Sequence, residues 1–134
     1  MGHLEVTAKK PRVLVVDDVD DVREMYVEYL RYLGFDAEGA TDGRDAVRKS
    51  LQHRQSLVVM DLAMPVLDGW EATRILRADR RTRDIPIVIL TGQAEPESLK
   101  RAHDAGATEV LVKPCEPAHL GRVVVSTLAR DHRR

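Results

Sequence analysis

The sequence has a single cysteine, Cys115, among 134 residues. One thiol cannot form an intrachain disulfide, and a lone thiol does not match the pattern of a zinc site. A chain of this length buries roughly two-thirds of the surface that its unfolded form exposes, so one domain needs no covalent or metal staple. We therefore expect a single domain in a reducing, intracellular compartment.

Long apolar runs are missing as well. No stretch approaches the roughly 18 consecutive apolar residues that a membrane-spanning helix requires. Residues 1–11 also lack the apolar segment of a signal peptide. We expect a soluble, cytoplasmic protein without a membrane partner.

Neither sign of charge predominates. The 21 basic and 22 acidic residues leave a net charge of -1 at pH 7, which gives no global attraction to nucleic acid or anionic membrane. Arginines cluster between positions 74 and 83, but Asp79 and Asp84 lie among them and no aromatic residues accompany them as a stacking platform. We interpret this cluster as a solvated surface and expect no direct nucleic-acid partner. The arginines are Arg74, Arg77, Arg80, Arg81 and Arg83.

The sequence instead alternates short apolar runs with amphipathic stretches. The predicted strands begin near Arg12 and cover about residues 35–40, 56–60, 85–90 and 110–112. Each is followed by a helical pattern, with Gly34 and Gly106 placed as helix-ending glycines. Five such units favour an α/β fold of the flavodoxin-like, doubly wound type, a five-stranded parallel sheet in the order 2-1-3-4-5. We expect residues 11–130 to form this domain, between flexible tails at 1–10 and 131–134.

Four of the five predicted helices have an apolar face that we expect to pack against the sheet. These faces contain Val19, Val22, Met25, Tyr26, Tyr29, Leu30 and Leu33 in the first helix, Ala46, Val47 and Leu51 in the second, Trp70, Thr73, Ile75 and Leu76 in the third, and Leu120, Val123, Val124, Thr127 and Leu128 in the last.

Several predicted strands end on polar residues that can do chemistry. Asp17 and Asp18 follow the first strand and Asp61 follows the third, and these two strands flank the switch point of such a sheet. Three carboxylates that close would raise at least one pKa unless a cation neutralises them. An all-oxygen cluster selects a hard cation, and Mg2+ fits best. Thr91 and Lys113, at the ends of the fourth and fifth strands, complete a candidate phosphoryl site.

Four motifs make a family resemblance specific. They are residues 13–18, residues 59–65 with Asp68 and Gly69, residues 90–92, and the stretch from Gly106 and Ala107 to Lys113 and Pro114. In order and spacing they resemble the receiver domain of bacterial two-component response regulators, of the single-domain, chemotaxis-regulator-like kind.

The resemblance implies a phosphorylated signalling switch. Asp61 would take a phosphoryl group from a sensor histidine kinase or a histidine phosphotransfer protein, and the changed domain would signal to an output protein that the sequence does not identify. Such a domain catalyses only its own phosphorylation and dephosphorylation, so we do not expect an enzyme. We expect a monomer or weak dimer.

The resemblance also implies a role for each site residue. Asp18 and Asp61 would bind Mg2+ directly and Asp17 through water, with the backbone carbonyl of Ala63 as a further ligand. Thr91 and Lys113 would bind the phosphoryl oxygens. It further implies a cis peptide bond between Lys113 and Pro114.

The chain departs from the family pattern at one switch position. The residue three before the lysine is usually aromatic in receiver domains, and here it is Val110, which affects how the signal is transmitted. Ala63 and Gln93 occupy the positions that influence hydrolysis; Ala63 has no side-chain donor for an attacking water.

Two other functions are compatible with the same residues. One is a phosphate-independent scaffold that keeps the fold. The other is a Mg2+-dependent phosphatase of the haloacid dehalogenase type, which needs a second acid two residues after the nucleophile, where this chain has Ala63.

Overall fold

The computed structural model describes residues 9–64 and 66–131. These residues form five strands, β1 (Arg12–Val16), β2 (Asp36–Ala40), β3 (Leu57–Asp61), β4 (Ile87–Thr91) and β5 (Glu109–Val112). They also form five helices, α1 (Asp20–Tyr32), α2 (Gly43–Gln52), α3 (Gly69–Ala78), α4 (Pro96–Ala105) and α5 (Pro117–Asp131). Most of both predicted tails, residues 1–8 and 132–134, and Pro65 of the third motif lie outside the described residues. Helix α5 extends one residue beyond the predicted end of the domain at 130.

The sheet confirms the predicted fold class. All strand pairs are parallel and their order is β2-β1-β3-β4-β5. Val16 of β1 lies opposite Met60 of β3, and Asp61 lies opposite Leu90 of β4. The carboxyl ends of β1, β3 and β4 therefore meet at one edge of the sheet, which is where open α/β folds bind ligands.

The core has one layer on each side of the sheet. Side chains of α1 and α5 pack with Val13, Val15 and Val59 on one face, and side chains of α2, α3 and α4 pack with Leu14 and Met60 on the other. Strands β3 and β4 are buried along their whole length, as predicted for strands covered on both faces. Strand β5 is only partly buried because it forms an edge of the sheet.

The sheet covers a narrower stripe of the helices than their apolar periodicity predicts. Tyr26 and Leu30 of α1 are buried, but Met25 is 42% exposed. Val19 precedes the first turn of α1, and Leu33 follows its last turn, so neither faces the core. The predictions were also wrong for Leu51 of α2 and Ile75 of α3, which are 37% and 39% exposed.

Arg77 corrects the interpretation of the arginine cluster as only a solvated surface. Its guanidinium donates to the carbonyl oxygens of Gly106 (3.0 Å), Arg83 (2.8 Å) and Ile85 (2.5 Å). Burial lowers its pKa. It therefore joins α3 to the segment before β4 and to the segment between α4 and β5. Arg74 and Arg81 pair with neighbouring acids at the surface, as predicted.

The helix ends agree with the sequence signals. Gly34 and Gly106 have positive φ angles of 103° and 117°, a region that glycine adopts at little cost. The side chains of Asp42 and Asp68 cap α2 and α3 by accepting from backbone N–H groups. No helix within the described residues is both long and apolar enough to cross a membrane.

Candidate functional site

Three carboxylates meet at the carboxyl edge of the sheet. Asp17 and Asp18 follow β1, and Asp61 is the last residue of β3. One oxygen from each lies within 4.8 Å of the others. Asp17 and Asp61 are 1% and 6% exposed, whereas Asp18 is exposed. The structure thus brings together the three acids that the sequence singled out.

Asp17 is anchored by the backbone around it. Its N–H donates to the carbonyl of Ala40 at the end of β2 (3.1 Å), and its Oδ1 accepts from the N–H of Val19 (2.9 Å). These bonds hold the buried carboxylate at the strand end and leave Oδ2 directed to the remaining groups of the site.

Lys113 supplies the positive charge beside the acids. Its Nζ lies 3.3 Å from Oδ2 of Asp17 and 3.4 Å from Oδ1 of Asp61, and the side chain is 28% exposed. Its backbone N–H donates to the carbonyl of Thr91 (2.7 Å), which fixes its position relative to β4. The cis peptide bond to Pro114 is present, as the family resemblance implied.

The pKa of the Asp61 carboxyl is raised above its ordinary value. Burial is the largest cause, and the negative charge of Asp17 adds to it. The charge of Lys113 and a hydrogen bond from the N–H of Ala63 act in the opposite direction without cancelling the effect. The carboxylate of Asp61 is therefore held in an environment that favours an additional positive charge.

Thr91 ends β4 one residue after the register partner of Asp61, and it is buried. Its Oγ1 accepts a hydrogen bond from the N–H of Gln93 (2.9 Å). A hydroxyl that accepts in this way still has its own hydrogen to donate. Ala63, by contrast, is exposed in the loop after β3, and Val110 is partly buried beside the core layer of α2, α3 and α4.

The loop after Asp61 folds back closely onto the strand end. The N–H of Gly69 donates to the carbonyl of Leu62 (3.1 Å). A Cβ on Gly69 would lie 2.3 Å from the carbonyl oxygen of Asp61, so a side chain there would displace the strand end. The Asp68-Gly69 pair thus combines a helix cap with the close approach that positions Asp61.

Comparison with known proteins identifies the family. The model described as the response regulator receiver domain matches residues 13–125. The chain belongs to this family. The receiver domain is similar to the transcriptional regulatory protein PrrA of Mycobacterium tuberculosis, with 36% identity over 127 residues, 95% of this chain and 54% of that protein. The chain spans about half the length of the transcriptional regulators that it matches.

Solved structures give the same fold. The receiver domain is similar to the chemotaxis protein CheY4 of Vibrio cholerae, with a TM-score of 0.83, 33% identity and coverage of 87% of this chain and 98% of that one. It is also similar to the receiver domain of the sensor histidine kinase PA1611 of Pseudomonas aeruginosa, with a TM-score of 0.83, 32% identity and coverage of 90% and 98%. The latter was solved with a magnesium ion coordinated in its active-site cleft.

The residues of this receiver domain fit a hard divalent cation. Asp17, Asp18 and Asp61 supply carboxylate oxygens, and Lys113 offsets only one of the three negative charges. Oxygen-only clusters favour Mg2+ or Ca2+ over the metals that prefer sulfur or nitrogen. The donor set is therefore suited to the cation predicted from the sequence.

One contact beside the site was not predicted from the sequence. Tyr26 was assigned only to the apolar face of α1, yet its hydroxyl donates to the carbonyl of Cys115 (2.6 Å), two residues after Lys113. The role of the Ala63 carbonyl as a cation ligand stays a prediction, and the backbone N–H of Ala63 acts to lower the pKa of Asp61. A tyrosine among buried apolar positions was the single hint, because a buried hydroxyl needs a partner.

Proposed function

We propose that this receiver domain accepts a phosphoryl group on Asp61, in the presence of Mg2+, from a phosphohistidine on a sensor histidine kinase or a histidine phosphotransfer protein. The observation that carries the proposal is the placement of the Asp61 carboxylate. It is buried at the sheet edge within 4.8 Å of oxygens of Asp17 and Asp18, with Lys113 at 3.4 Å. No other cluster of this kind occurs within the described residues.

Four groups would hold the cation. Asp18 and Asp61 would bind it directly, Asp17 through water, and the carbonyl of Ala63 would complete the protein's share. Bound Mg2+ offsets the charge that develops on the phosphoryl oxygens. The cluster's excess negative charge and the metal recorded in a similar receiver domain support this assignment.

The transfer needs no general base. An ionised carboxylate oxygen of Asp61 forms a bond to phosphorus while the bond from phosphorus to the histidine nitrogen breaks, and its electron pair stays on the imidazole. Since the product acyl phosphate carries more negative charge than Asp61 did, Lys113 and the hydroxyl of Thr91 stabilise it by donating to its oxygens. The chemistry thus uses the chain as a substrate and self-catalyst rather than as an enzyme acting on other molecules.

The phosphorylated domain would act by contacting another protein. In the arginine cluster of residues 74–83, Arg77 is committed to the fold, and Arg74 and Arg81 pair with acids, so we propose no direct contact with nucleic acid. Residues 11–130 would form the functional receiver unit, in the cytoplasm, as a monomer or weak dimer.

Intact-mass analysis tests the proposal. Protein incubated with acetyl phosphate or phosphoramidate should gain one phosphoryl group with MgCl2 and none with EDTA. The Asp61→Asn variant should gain none. Its control, Asp104→Asn, which changes an exposed acid of α4, should behave like the wild type. A protein that stays unmodified with both donors in MgCl2 would contradict the proposal and favour a phosphate-independent scaffold.

A further inference from the structure

The loop that carries the first two acids contains one residue with little support of its own. Asp17 is held by its N–H and its Oδ1. Asp18 is exposed, and none of the described residues donates a hydrogen bond to its side chain. Its orientation therefore depends on the peptide group that joins it to Asp17.

Arg23, on the first turn and a half of α1, contacts that peptide group. Its Nη1 donates to the carbonyl oxygen of Asp17 at 2.8 Å, and its Nη2 donates to Oδ1 of Asp20 at 2.6 Å. The side chain is only 13% exposed, although Asp20 is 76% exposed. The guanidinium is thus a fixed double donor between the loop and the start of the helix.

The sheet provides a matching space for the stem of Arg23. A Cβ on Gly39 of β2 would lie 2.8 Å from Cδ of Arg23, so the arginine stem packs directly over the glycine backbone. Gly39 is the register partner of Val15, two residues before Asp17. The absence of a side chain at position 39 allows Arg23 to reach the loop from α1.

We propose that Arg23 is a positioning residue for the cation site. It fixes the plane of the peptide between Asp17 and Asp18 and so aims the exposed Asp18 carboxylate at the other two acids. The inference rests on the proposed function for its Mg2+ part, but the fixing of the peptide is a property of the metal-free protein.

The test must separate positioning from charge. Removing Arg23 alone leaves Asp20 unpaired near the site, and the extra negative charge by itself would attract Mg2+. The Asp20→Asn/Arg23→Met double variant removes the pair without changing net charge. Its matched control is Glu28→Gln/Arg31→Met, which also neutralises an acid and the arginine three residues after it on α1. Arg31 also donates to a β2 carbonyl, that of Ala37 (2.9 Å), at the far end of the strand.

Two measurements give independent results. By calorimetric titration with MgCl2, the Asp20→Asn/Arg23→Met variant should bind about 5- to 10-fold more weakly than the wild type, and the control should stay within about twofold. In the metal-free proteins, the amide of Val19, which donates to Oδ1 of Asp17, should exchange hydrogen about tenfold faster in the variant and at the wild-type rate in the control. Arg23→Lys, which keeps the charge but has one donor nitrogen in place of the two that Arg23 uses, should recover part of both losses.

The outcomes distinguish this inference from the proposed function. Equal weakening of Mg2+ binding by both double variants, or unchanged exchange at Val19, would overturn the role of Arg23 as a positioning residue. A wild-type protein that binds no Mg2+ would instead overturn the metal part of the proposed function, and the exchange rates would still decide whether Arg23 fixes the loop.

Discussion

The ammonium nitrogen of Lys113, which follows β5, lies 3.4 Å from Oδ1 of Asp61 at the end of β3, with β4 between the two strands. It also lies 3.3 Å from Oδ2 of Asp17. One cation from the end of β5 thus faces two buried acids from two other strands. Any charge added to Asp61 changes the electrostatic potential at the ammonium group of Lys113. Phosphorylation would therefore act on the rest of the structure through this contact.

We predict that Lys113→Ala keeps the fold but weakens the response to phosphorylation. The lysine lies at a partly exposed rim, so its removal leaves the core intact. It forfeits a charge-assisted contact with the phosphoryl group worth about 1.5–3 kcal/mol. Circular dichroism and the phosphorylation rate test this together, with Lys100→Ala on the exposed face of α4 as control. An unfolded Lys113→Ala protein would show that the residue is structural.

Asp61→Asn should stabilise the metal-free protein at neutral pH. The pKa of Asp61 is raised in the folded state, chiefly by burial, so ionisation disfavours folding. The protonated carboxyl of Asp61 favours the folded state below its unfolded pKa of about 3.8. This contribution to stability is lost as the pH rises through the higher pKa of the folded state. Urea unfolding in EDTA should therefore show that Asp61→Asn has a larger free energy of unfolding than the wild type, by a difference that grows from pH 4 upward. MgCl2 should stabilise the wild type more than the variant; an advantage that shrinks with pH would contradict the account.

The main features of the fold follow from local patterns in the sequence. Strand-ending acids such as Asp61 could be assigned because apolar runs define strands, and parallel strands deliver their ends to one edge. The roles of Arg77 and Arg23 could not be assigned. Arg77 bonds to Gly106, 29 positions away, and Arg23 needs the space over Gly39 of another strand. Such contacts depend on how elements pack, which a periodic pattern does not encode.

Helix faces show the same limit at closer range. Periodicity correctly selects Leu30 and Leu76 as core residues, yet it also selects Met25 and Ile75. These four lie on stripes of the same helical period, and only the width of the covering sheet separates buried from exposed positions. That width is a tertiary property, so the sequence alone overestimated the core.

Tyr26→Phe should destabilise the protein at neutral pH but not at strongly alkaline pH. Burial is the largest cause that raises the pKa of Tyr26 from 10.0 to about 12, and the nearby Cys115, Asp17 and Asp61 add to it. The neutral hydroxyl donates to the carbonyl of Cys115. The contribution of the neutral hydroxyl to stability is full below pH 10 and is lost as the pH rises through about 12. At pH 7 we expect a loss of about 1–3 kcal/mol, since the buried carbonyl loses its donor. Urea unfolding of both proteins between pH 7 and 11.5 checks this; a difference that does not narrow above pH 10 would rule it out.

We expect the conformational change on phosphorylation to be transmitted mainly through the loop after β4. Val110 has few rotamers and too little reach to remodel the α4–β5–α5 surface as an aromatic ring would. Thr91 instead accepts from the N–H of Gln93, and Ser98 of α4 donates to Oε1 of Gln93 (3.2 Å). A displacement of Thr91 would therefore move Gln93 and, through it, the start of α4. Beryllofluoride with Mg2+ stands in for the phosphoryl group on Asp61.

Backbone amide shifts test this transmission. With beryllofluoride they should be confined to the acid cluster and residues 91–100, and the Ser98→Ala variant should reduce those in α4. Equally large shifts through residues 110–125 would show that β5 and α5 carry the signal despite Val110.

The location of the phosphoryl group is the most direct test of the central claim. Protein treated with phosphoramidate and MgCl2 is reduced with borohydride, which converts an aspartyl phosphate to homoserine, and digested for tandem mass spectrometry. The account predicts homoserine at position 61 alone in the wild type and none in Asp61→Asn. Homoserine at Asp17 or Asp18, or label that persists in Asp61→Asn, would contradict the assignment of Asp61 as the phosphoryl acceptor.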